Sequence, residues 1–134
     1  MDLDIRFSTS GDHEKILRAG LDKHSVPFVN HEIKDFGFYV YENEQIIAGI
    51  CGRIDSGKWV NVKLLHVDKN QRGKDIGTKL IKRVEEYSRE NNCFGVRLET
   101  WCFQARGFYE KMGFTIWGEL KSPNATYYCL SKKL

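Results

Sequence analysis

A strand that leads through a glycine-bearing turn into a helix is the most constraining feature of this 134-residue chain. Residues 59–67 read WVNVKLLHV, in which apolar and polar side chains alternate as in a β-strand. After a polar turn, residues 72–78 read RGKDIGT, and a helical pattern follows. Unpaired N–H groups and the helix dipole at such a helix start attract anions, and Arg72 and Lys74 add full positive charges. The segment therefore predicts a phosphate-binding turn.

The alternation in this strand slips by one residue. Val60, Val62 and Leu64 share one face, whereas Leu65 and Val67 fall on the other. A strand keeps its apolar face inward across such a slip when an extra residue forms a β-bulge. Alternatively, Leu64 and Leu65 are both buried, one on each face of a covered sheet. The pattern leaves both interpretations open.

Charge and cysteine usage exclude several classes of function. The net charge is +3, but basic and acidic residues are interleaved, so no basic stripe indicates a nucleic-acid partner. The cysteines lack the C-x-x-C spacing and the neighbouring histidine pairs of metal sites, and their arrangement does not indicate a disulfide framework. These four residues are Cys51, Cys93, Cys102 and Cys129.

The remaining composition is that of one ordinary globular domain. No apolar run approaches membrane length, and the N-terminus lacks the pattern of a secretory leader. We therefore expect a single cytoplasmic domain over residues 1–134, without a membrane partner and without a bound metal. A homodimer remains open, because no residue pattern supports or excludes it.

The periodicity predicts a mixed α/β (α+β) fold. A short opening strand over residues 4–8 precedes a helix that Ser10 or Asp12 caps and Pro27 ends. Three antiparallel strands, an amphipathic helix, a parallel strand, a short helix closed by Gly113 and a final strand pair follow. We expect a mostly antiparallel sheet of about seven strands, with a bulged fourth strand and helices on both faces.

Two motifs give the chain a resemblance to the GNAT superfamily of N-acetyltransferases. Residues 72–77 (RGKDIG) resemble the family's cofactor motif, R/Q-x-x-G-x-G/A, except that Asp75 stands where glycine is usual. Asp tolerates the left-handed backbone region, so the turn can still form. Residues 105–114 (ARGFYEKMGF) match the family's A-x-x-x-Y-x-x-x-G-F signature, and the predicted element order is also that of the GNAT fold.

The resemblance implies a donor, an acceptor and a set of cofactor contacts. The donor would be acetyl-CoA as co-substrate, and the acceptor would be a primary amine that attacks it directly in a ternary complex. Backbone groups of the bulged strand would pair with the pantetheine arm, and the turn would bind the diphosphate. The implied cofactor residues are Leu65, His66, Val67, Arg72, Gly73, Lys74, Asp75, Ile76, Gly77 and Thr78.

Two side chains are candidates for proton transfer. Tyr109, at the family's tyrosine position, would protonate the leaving thiolate, although it could instead be a buried aromatic packed with Phe108. Glu99 would accept a proton from the amine, since the end of its strand should lie beside the bulge. His66 is the alternative base. A purely structural alternative pairs the Glu99 carboxylate with Arg97 or with solvent.

The departures from the family pattern keep other functions open. Asp75 and Cys102, which replaces a common asparagine, are compatible with a non-catalytic acyl-CoA-sensing module. Trp59, Trp101 and Trp117 are compatible with a partner-binding domain. For an enzyme, a small-molecule amine is slightly favoured over a protein or peptide amine, because the chain has no long insertion. We expect residues such as Phe28, Phe36 and Trp101 to shape the acceptor groove, with Glu32 or Asp35 attracting a cation.

Overall fold

The computed structural model describes residues 2–26, 28–29 and 32–134, which divide into two compact units at His31/Glu32. The first unit contains helix α1 (Gly11–Ser25), and the Ser10 hydroxyl caps it by accepting from the backbone N–H of Asp12 at 3.2 Å. Pro27, predicted to end this helix, lies outside the described residues. Within the described residues, no helix is long and apolar enough to cross a membrane.

The strand predicted over residues 4–8 is wrong. Residues 2–10 have no strand conformation, and the side chains of Ile5 and Phe7 are 87% and 94% exposed. Alternation over five residues is a local signal, whereas a strand forms only where a neighbouring strand accepts its hydrogen bonds. The sheet consequently has six strands rather than seven.

The second unit is built on that sheet. In chain order its elements are β1 (Lys34–Glu42), β2 (Gln45–Ile54), β3 (Trp59–Val67), a 3-10 turn (Lys69–Gln71), α2 (Ile76–Glu90), β4 (Gly95–Trp101), α3 (Arg106–Lys111), β5 (Thr115–Lys121) and β6 (Thr126–Lys133). The strands lie in the order β1-β2-β3-β4-β6-β5. Only β3 and β4 are parallel, and α2 connects them. The predicted mixed, mostly antiparallel sheet is confirmed.

Helices α2 and α3 share one face of the sheet with the hydrophobic core. Leu80, Ile81 and Val84 of α2 are buried there, as their helical spacing predicts. Alternate residues of the central strands meet them from the sheet, namely Ala48, Ile50, Val60, Val62, Val96, Leu98, Tyr128 and Leu130. We call the opposite face, which carries Arg97, Glu99 and Trp101, the open face. Helices on both faces of the sheet, and a single domain over residues 1–134, stay predictions.

A β-bulge in β3 resolves the slip in its apolar alternation. Gly52 pairs with Val62 and Cys51 pairs with Leu64, so Lys63 is the extra residue. Beyond the bulge Leu65 and Val67 return to the core face, while Leu64 is 69% exposed. The bulge interpretation is therefore confirmed, and the interpretation that buries both leucines is wrong.

The same region of β3 separates from β4. Parallel pairing covers Trp59 to Asn61 on β3 and Gly95 to Arg97 on β4, and it ends just before the bulge. The remaining residues of β3 keep their bonds to β2, but their other edge is free of sheet pairing with β4. The two strands therefore diverge and open a cleft in the middle of the sheet.

Candidate active site

The turn between β3 and α2 has the backbone of an anion site. Gly73 and Asp75 both adopt left-handed conformations, with φ of 83° and 59°. Asp75 is the N-cap of α2, and its side chain makes no capping hydrogen bond. The first helical bond runs from the N–H of Lys79 to the carbonyl of Asp75 at 3.0 Å, so the N–H groups of Ile76, Gly77 and Thr78 come before the first helical donor and have no acceptor within the helix. The prediction that aspartate tolerates this turn is confirmed.

The two basic side chains of the turn are oriented differently. Arg72 donates from Nε to the carbonyl of Val67 at 3.2 Å, so its guanidinium lies over the end of β3. Lys74 donates to the side-chain carbonyl of Gln71 at 2.9 Å. Arg72 lines the cavities described next, whereas Lys74 is not among their described lining residues. Arg72 is therefore the better placed of the two for a ligand in the cleft.

Three neighbouring cavities with shared lining residues lie along the cleft. The first, of about 230 Å³, lies over the turn and is lined by Gly73, Asp75, Ile76 and Thr78 among others. It shares Val67, Arg72, Gly77 and Phe108 with a second cavity of about 530 Å³, which Leu65 and His66 also line. The second shares Leu65, Gln104, Ala105 and Tyr109 with a third of about 150 Å³, which reaches Glu99. We refer to these three cavities together as the trough.

Tyr109 lies where the second and third cavities meet. Its side chain is 7% exposed and packs edge-on against Phe108 at 5.2 Å and Phe114 at 5.8 Å. Burial raises the pKa of Tyr109 to about 12, because the phenolate would lose its hydration. Tyr109 therefore packs in the core and also lines the trough. At neutral pH its hydroxyl is protonated and can act as a proton donor.

Glu99 lies in the third cavity on the open face of β4. Its carboxylate accepts a hydrogen bond from the hydroxyl of Tyr127 on β6. Arg97 is instead paired with Asp55, at 3.0 Å between Nη2 and Oδ2. The alternative in which Glu99 pairs with Arg97 is therefore wrong.

Two other candidates lie at the margin of the trough. The imidazole of His66 is 71% exposed, and its Nε2 lies 3.5 Å from a carboxylate oxygen of Asp68. The thiol of Cys102 accepts a hydrogen bond from the N–H of Thr126 at 3.3 Å. Cys102 is not among the described residues that line the trough. The described residues contain no group of three or more side chains that could hold a metal ion.

Sequence reasoning did not single out three residues of this region. Phe103 and Gln104 line the trough from the turn between β4 and α3, and the Gln104 side chain fixes that turn by accepting from the N–H of Trp101 at 3.0 Å. Tyr127 reaches Glu99 from β6. Only the pairing of β4 with β6, which sequence spacing does not reveal, brings Tyr127 beside the cleft.

The expected acceptor residues are distributed differently from the prediction. Phe36 lies on the core face and packs against Tyr87 of α2 at 5.1 Å, so its assignment to the groove is wrong. Asp35 is on the surface, 3.8 Å from Arg53. Within the second unit, Glu32 is not among the described residues that line the three cavities.

Comparison with known proteins assigns the chain to a family. A family model described as the acetyltransferase (GNAT) domain matches residues 34–116, which include β1 to α3 and the whole trough. Blasticidin-S acetyltransferase of Streptomyces morookaense is 36% identical over 96 residues, covering 69% of this chain and 70% of that protein. The chain belongs to the GNAT acetyltransferases. It is therefore an acyltransferase, as the two sequence motifs predict.

Solved structures agree with this family at the level of fold. An acetyltransferase from Bacillus cereus superposes with a TM-score of 0.87 over 98% of both chains, at 19% identity. A protein of Bacillus anthracis, provisionally described as a streptothricin acetyltransferase and solved with acetyl coenzyme A, superposes with a TM-score of 0.68 at 23% identity. The superposed region covers 75% of this GNAT chain and 63% of the Bacillus anthracis chain. The chain thus shares its fold with solved acetyltransferases.

Proposed function

We propose that this GNAT protein transfers the acetyl group of acetyl-CoA to a primary amine of a small molecule, by direct attack in a ternary complex. The observation that carries the proposal is the trough itself. Its lining residues include those of the anion-binding turn at one end, Glu99 at the other and Tyr109 between them, which supports the proposal. A donor and an acceptor can therefore meet beside one proton donor and one proton acceptor.

The turn and the free edge of β3 fit the donor. Backbone N–H groups at the start of α2 and the guanidinium of Arg72 suit a diphosphate, and the left-handed turn at Gly73 leaves open space above its backbone. The unpaired edge of β3 at Leu65 to Val67 suits an extended arm with amide groups, which can pair with it as an added strand. Acetyl-CoA would supply an activated thioester carbonyl at this position.

A backbone N–H on the free edge of β3 is also suited to developing negative charge. Bulged and unpaired strands present N–H groups that no neighbouring strand uses. One such donor aimed at a developing oxyanion contributes about 3 kcal/mol to the transition state. We assign this role to the segment of Leu65 to Val67, which lines the trough opposite Tyr109.

Glu99 serves as the general base of the proposed reaction. An alkylammonium has a pKa of about 10, so it must lose a proton before its nitrogen can attack a carbonyl at neutral pH. The carboxylate of Glu99 lies in the third cavity, beside Tyr109 and the bulge. The exposed imidazole of His66, which lines the second cavity, is the second candidate for this role.

Tyr109 serves as the general acid. Its buried hydroxyl, with a pKa raised to about 12, stays protonated and can donate its proton to a leaving thiolate. The thiol of Cys102 takes no part, because a direct transfer needs no covalent intermediate on the enzyme and its sulfur already accepts a backbone hydrogen bond.

The small-molecule acceptor is supported by the relatives. The relative from Streptomyces morookaense is named for acetylating blasticidin S, and the Bacillus anthracis neighbour is provisionally described as acting on streptothricin. These are acceptors of those proteins, and they define the first compounds to test on this one. A protein or peptide amine is the alternative acceptor, and an acyl-CoA-sensing module without catalysis is the alternative function.

Calorimetric titration with acetyl-CoA, followed by a thiol-release assay, tests the proposal. The acceptor panel contains blasticidin S, streptothricin, simple alkylamines and a mixture of short peptides. We expect saturable binding and thiol release that depends on a small-molecule amine. Binding without thiol release on any acceptor favours the sensing module, and the absence of binding excludes both functions.

A further inference from the structure

A row of aromatic side chains leads from the second cavity of the trough to Glu99. The rings of Phe103 and Trp101 are nearly parallel, at 12°, with centroids 6.0 Å apart. Tyr127 meets Trp101 edge-on at 4.9 Å. Although Phe103 lines the second cavity, it is 71% exposed. We call Phe103, Trp101 and Tyr127 the aromatic row. Because Phe103 and Trp101 already stack on each other, the exposed outer face of Phe103 is the apolar surface that a ligand ring can cover.

The aromatic row ends at a carboxylate without a counter-ion. The hydroxyl of Tyr127 donates to Glu99, and Glu99 has no ion-pair partner among the described residues. Arg97, two residues earlier on the same face of β4, is engaged by Asp55. Lys63 also lines the third cavity, but it makes no ion pair with Glu99 among the described residues. A cation arriving there therefore meets the unpaired carboxylate of Glu99, which attracts it.

We propose that the aromatic row and Glu99 form one acceptor subsite, which selects molecules that carry a flat aromatic ring next to a primary amine. The ring stacks on the exposed face of Phe103, which Trp101 supports from behind, and the ammonium lies against Glu99. This assignment rests on the proposed function, because Glu99 then receives the proton that the amine gives up. It adds a chemical class of acceptor to that function.

Tyr127 is the positioning residue of this subsite. Its backbone pairs with Trp101 across β4 and β6, which fixes its ring next to the carboxylate. The hydrogen bond to Glu99 is also the main reason why the pKa of Tyr127 is raised to about 12, so its hydroxyl remains a donor throughout the working range. Without that donor, the side chain of Glu99 loses its fixed orientation.

Two matched amines test the subsite. Phenethylamine and cyclohexylethylamine carry the same aminoethyl group and differ in whether the ring is flat and aromatic. We measure kcat and KM for both with saturating acetyl-CoA, in the wild type, in Trp101→Leu and in Phe103→Leu. Trp117→Leu is the control, since Trp117 is 62% exposed and lines a separate cavity with Trp59.

We expect Trp101→Leu and Phe103→Leu to raise KM for phenethylamine about tenfold, the strength of an aromatic stack, and to leave KM for cyclohexylethylamine and both kcat values within about twofold. Trp117→Leu should leave kcat and KM unchanged for both amines.

Tyr127→Phe should instead lower kcat/KM for both amines about tenfold, because both carry the amino group that meets Glu99. Because Phe103 is exposed, Phe103→Leu removes the aromatic ring without creating a cavity in the core. The thermal unfolding midpoint of each variant checks that it folds.

The outcomes separate the two proposals. If both leucine variants change the two amines equally, or change neither, the aromatic subsite is overturned and the acetyltransferase remains. If Tyr127→Phe is silent, its positioning role is overturned. If no amine on the panel releases thiol although acetyl-CoA binds, the proposed function is overturned and the subsite falls with it.

Discussion

The ammonium of Lys132 lies 2.7 Å from the carboxylate of Glu85 and also donates to the carbonyl of Met112 at 2.8 Å. Through these two bonds β6 holds α2 and the end of α3 in fixed relation, and α3 carries Tyr109. The side chain of Glu85 is 9% exposed and that of Lys132 is 26% exposed. A buried ion pair adds little net stability, but removing one partner leaves an uncompensated charge in the interior.

Lys132→Met should therefore lower the free energy of unfolding by about 2–3 kcal/mol. This value lies at or just below the range for fully buried pairs, because Lys132 is partly exposed to water. Urea denaturation measures the change. Lys111→Met, at an exposed position of α3, is the control and should change stability by less than about 0.5 kcal/mol. The double variant Glu85→Leu/Lys132→Met should recover most of the loss. Equal effects of both lysine variants would contradict this account.

Tyr109→Phe removes the proposed general acid and keeps the ring that packs against Phe108 and Phe114. We expect kcat to fall about 10²-fold or more, with the Kd for acetyl-CoA nearly unchanged, because proton transfer is lost and binding is not. Steady-state kinetics and calorimetry measure the two quantities. Tyr87→Phe, in the cluster with Phe36 and Phe38, is the control. An unaltered kcat would remove Tyr109 from the mechanism.

The raised pKa of Tyr109 predicts the alkaline side of the pH profile. Burial favours the neutral phenol, so the donating form is complete below the raised pKa and is lost only as pH rises through about 12. A tyrosine with the ordinary pKa of about 10 would lose its proton earlier. We expect kcat to show no alkaline decline between about pH 8 and about pH 10. A decline there that disappears in Tyr109→Phe would show that the hydroxyl titrates in its ordinary range.

Asp75 places a carboxylate in the cavity over the anion-binding turn. Asp75→Asn removes the charge and keeps a residue that tolerates the left-handed backbone, and Asp75→Gly removes the side chain as well. We expect both variants to lower the Kd for acetyl-CoA about threefold to fivefold at low salt, because one repulsion near the diphosphate is gone. The gain should shrink as salt is added.

Asn92→Gly serves as the backbone control for Asp75, since Asn92 is left-handed at φ 56° beyond the far end of α2. It should leave the Kd for acetyl-CoA unchanged. Weaker binding in Asp75→Asn would mean that this side chain is directed away from the diphosphate or assists it. Calorimetry at two salt concentrations distinguishes these results.

Gly52 is the residue of β2 that faces the bulge in β3. A Cβ at this position would lie 2.0 Å from the carbonyl oxygen of Asn61 and 3.0 Å from Cα of Val62, so one strand must move. Gly52→Ala should destabilise the fold by about 2–3 kcal/mol and also weaken acetyl-CoA binding, because the free edge of β3 shifts. Gly20→Ala, in open space within α1, is the control and should be neutral or stabilising by up to about 1 kcal/mol. A stable Gly52→Ala variant would show that the strand pair adapts at no cost.

Local patterns in the sequence determined most of the elements and the family. The amphipathic period of α2, the alternation of the strands and the turn glycine at Gly73 each act within a few residues, where side-chain spacing and backbone preference dominate. The break in the apolar alternation at Leu64 was also a local signal, but it allowed two interpretations, of which the β-bulge was one. The two motifs, 72–77 and 105–114, were sufficient to identify an acetyltransferase.

Tertiary structure decided what the sequence left open or indicated wrongly. The alternation at Ile5 and Phe7 did not produce a strand, because pairing partners are supplied by distant residues rather than by the segment itself. Tyr127 meets Glu99 only because β6 pairs with β4, across 28 residues of chain. The trough exists only because β3 and β4 diverge after three residue pairs. Local residue preferences therefore fixed the parts of this enzyme, whereas long-range hydrogen bonding between strands decided which side chains share its active site.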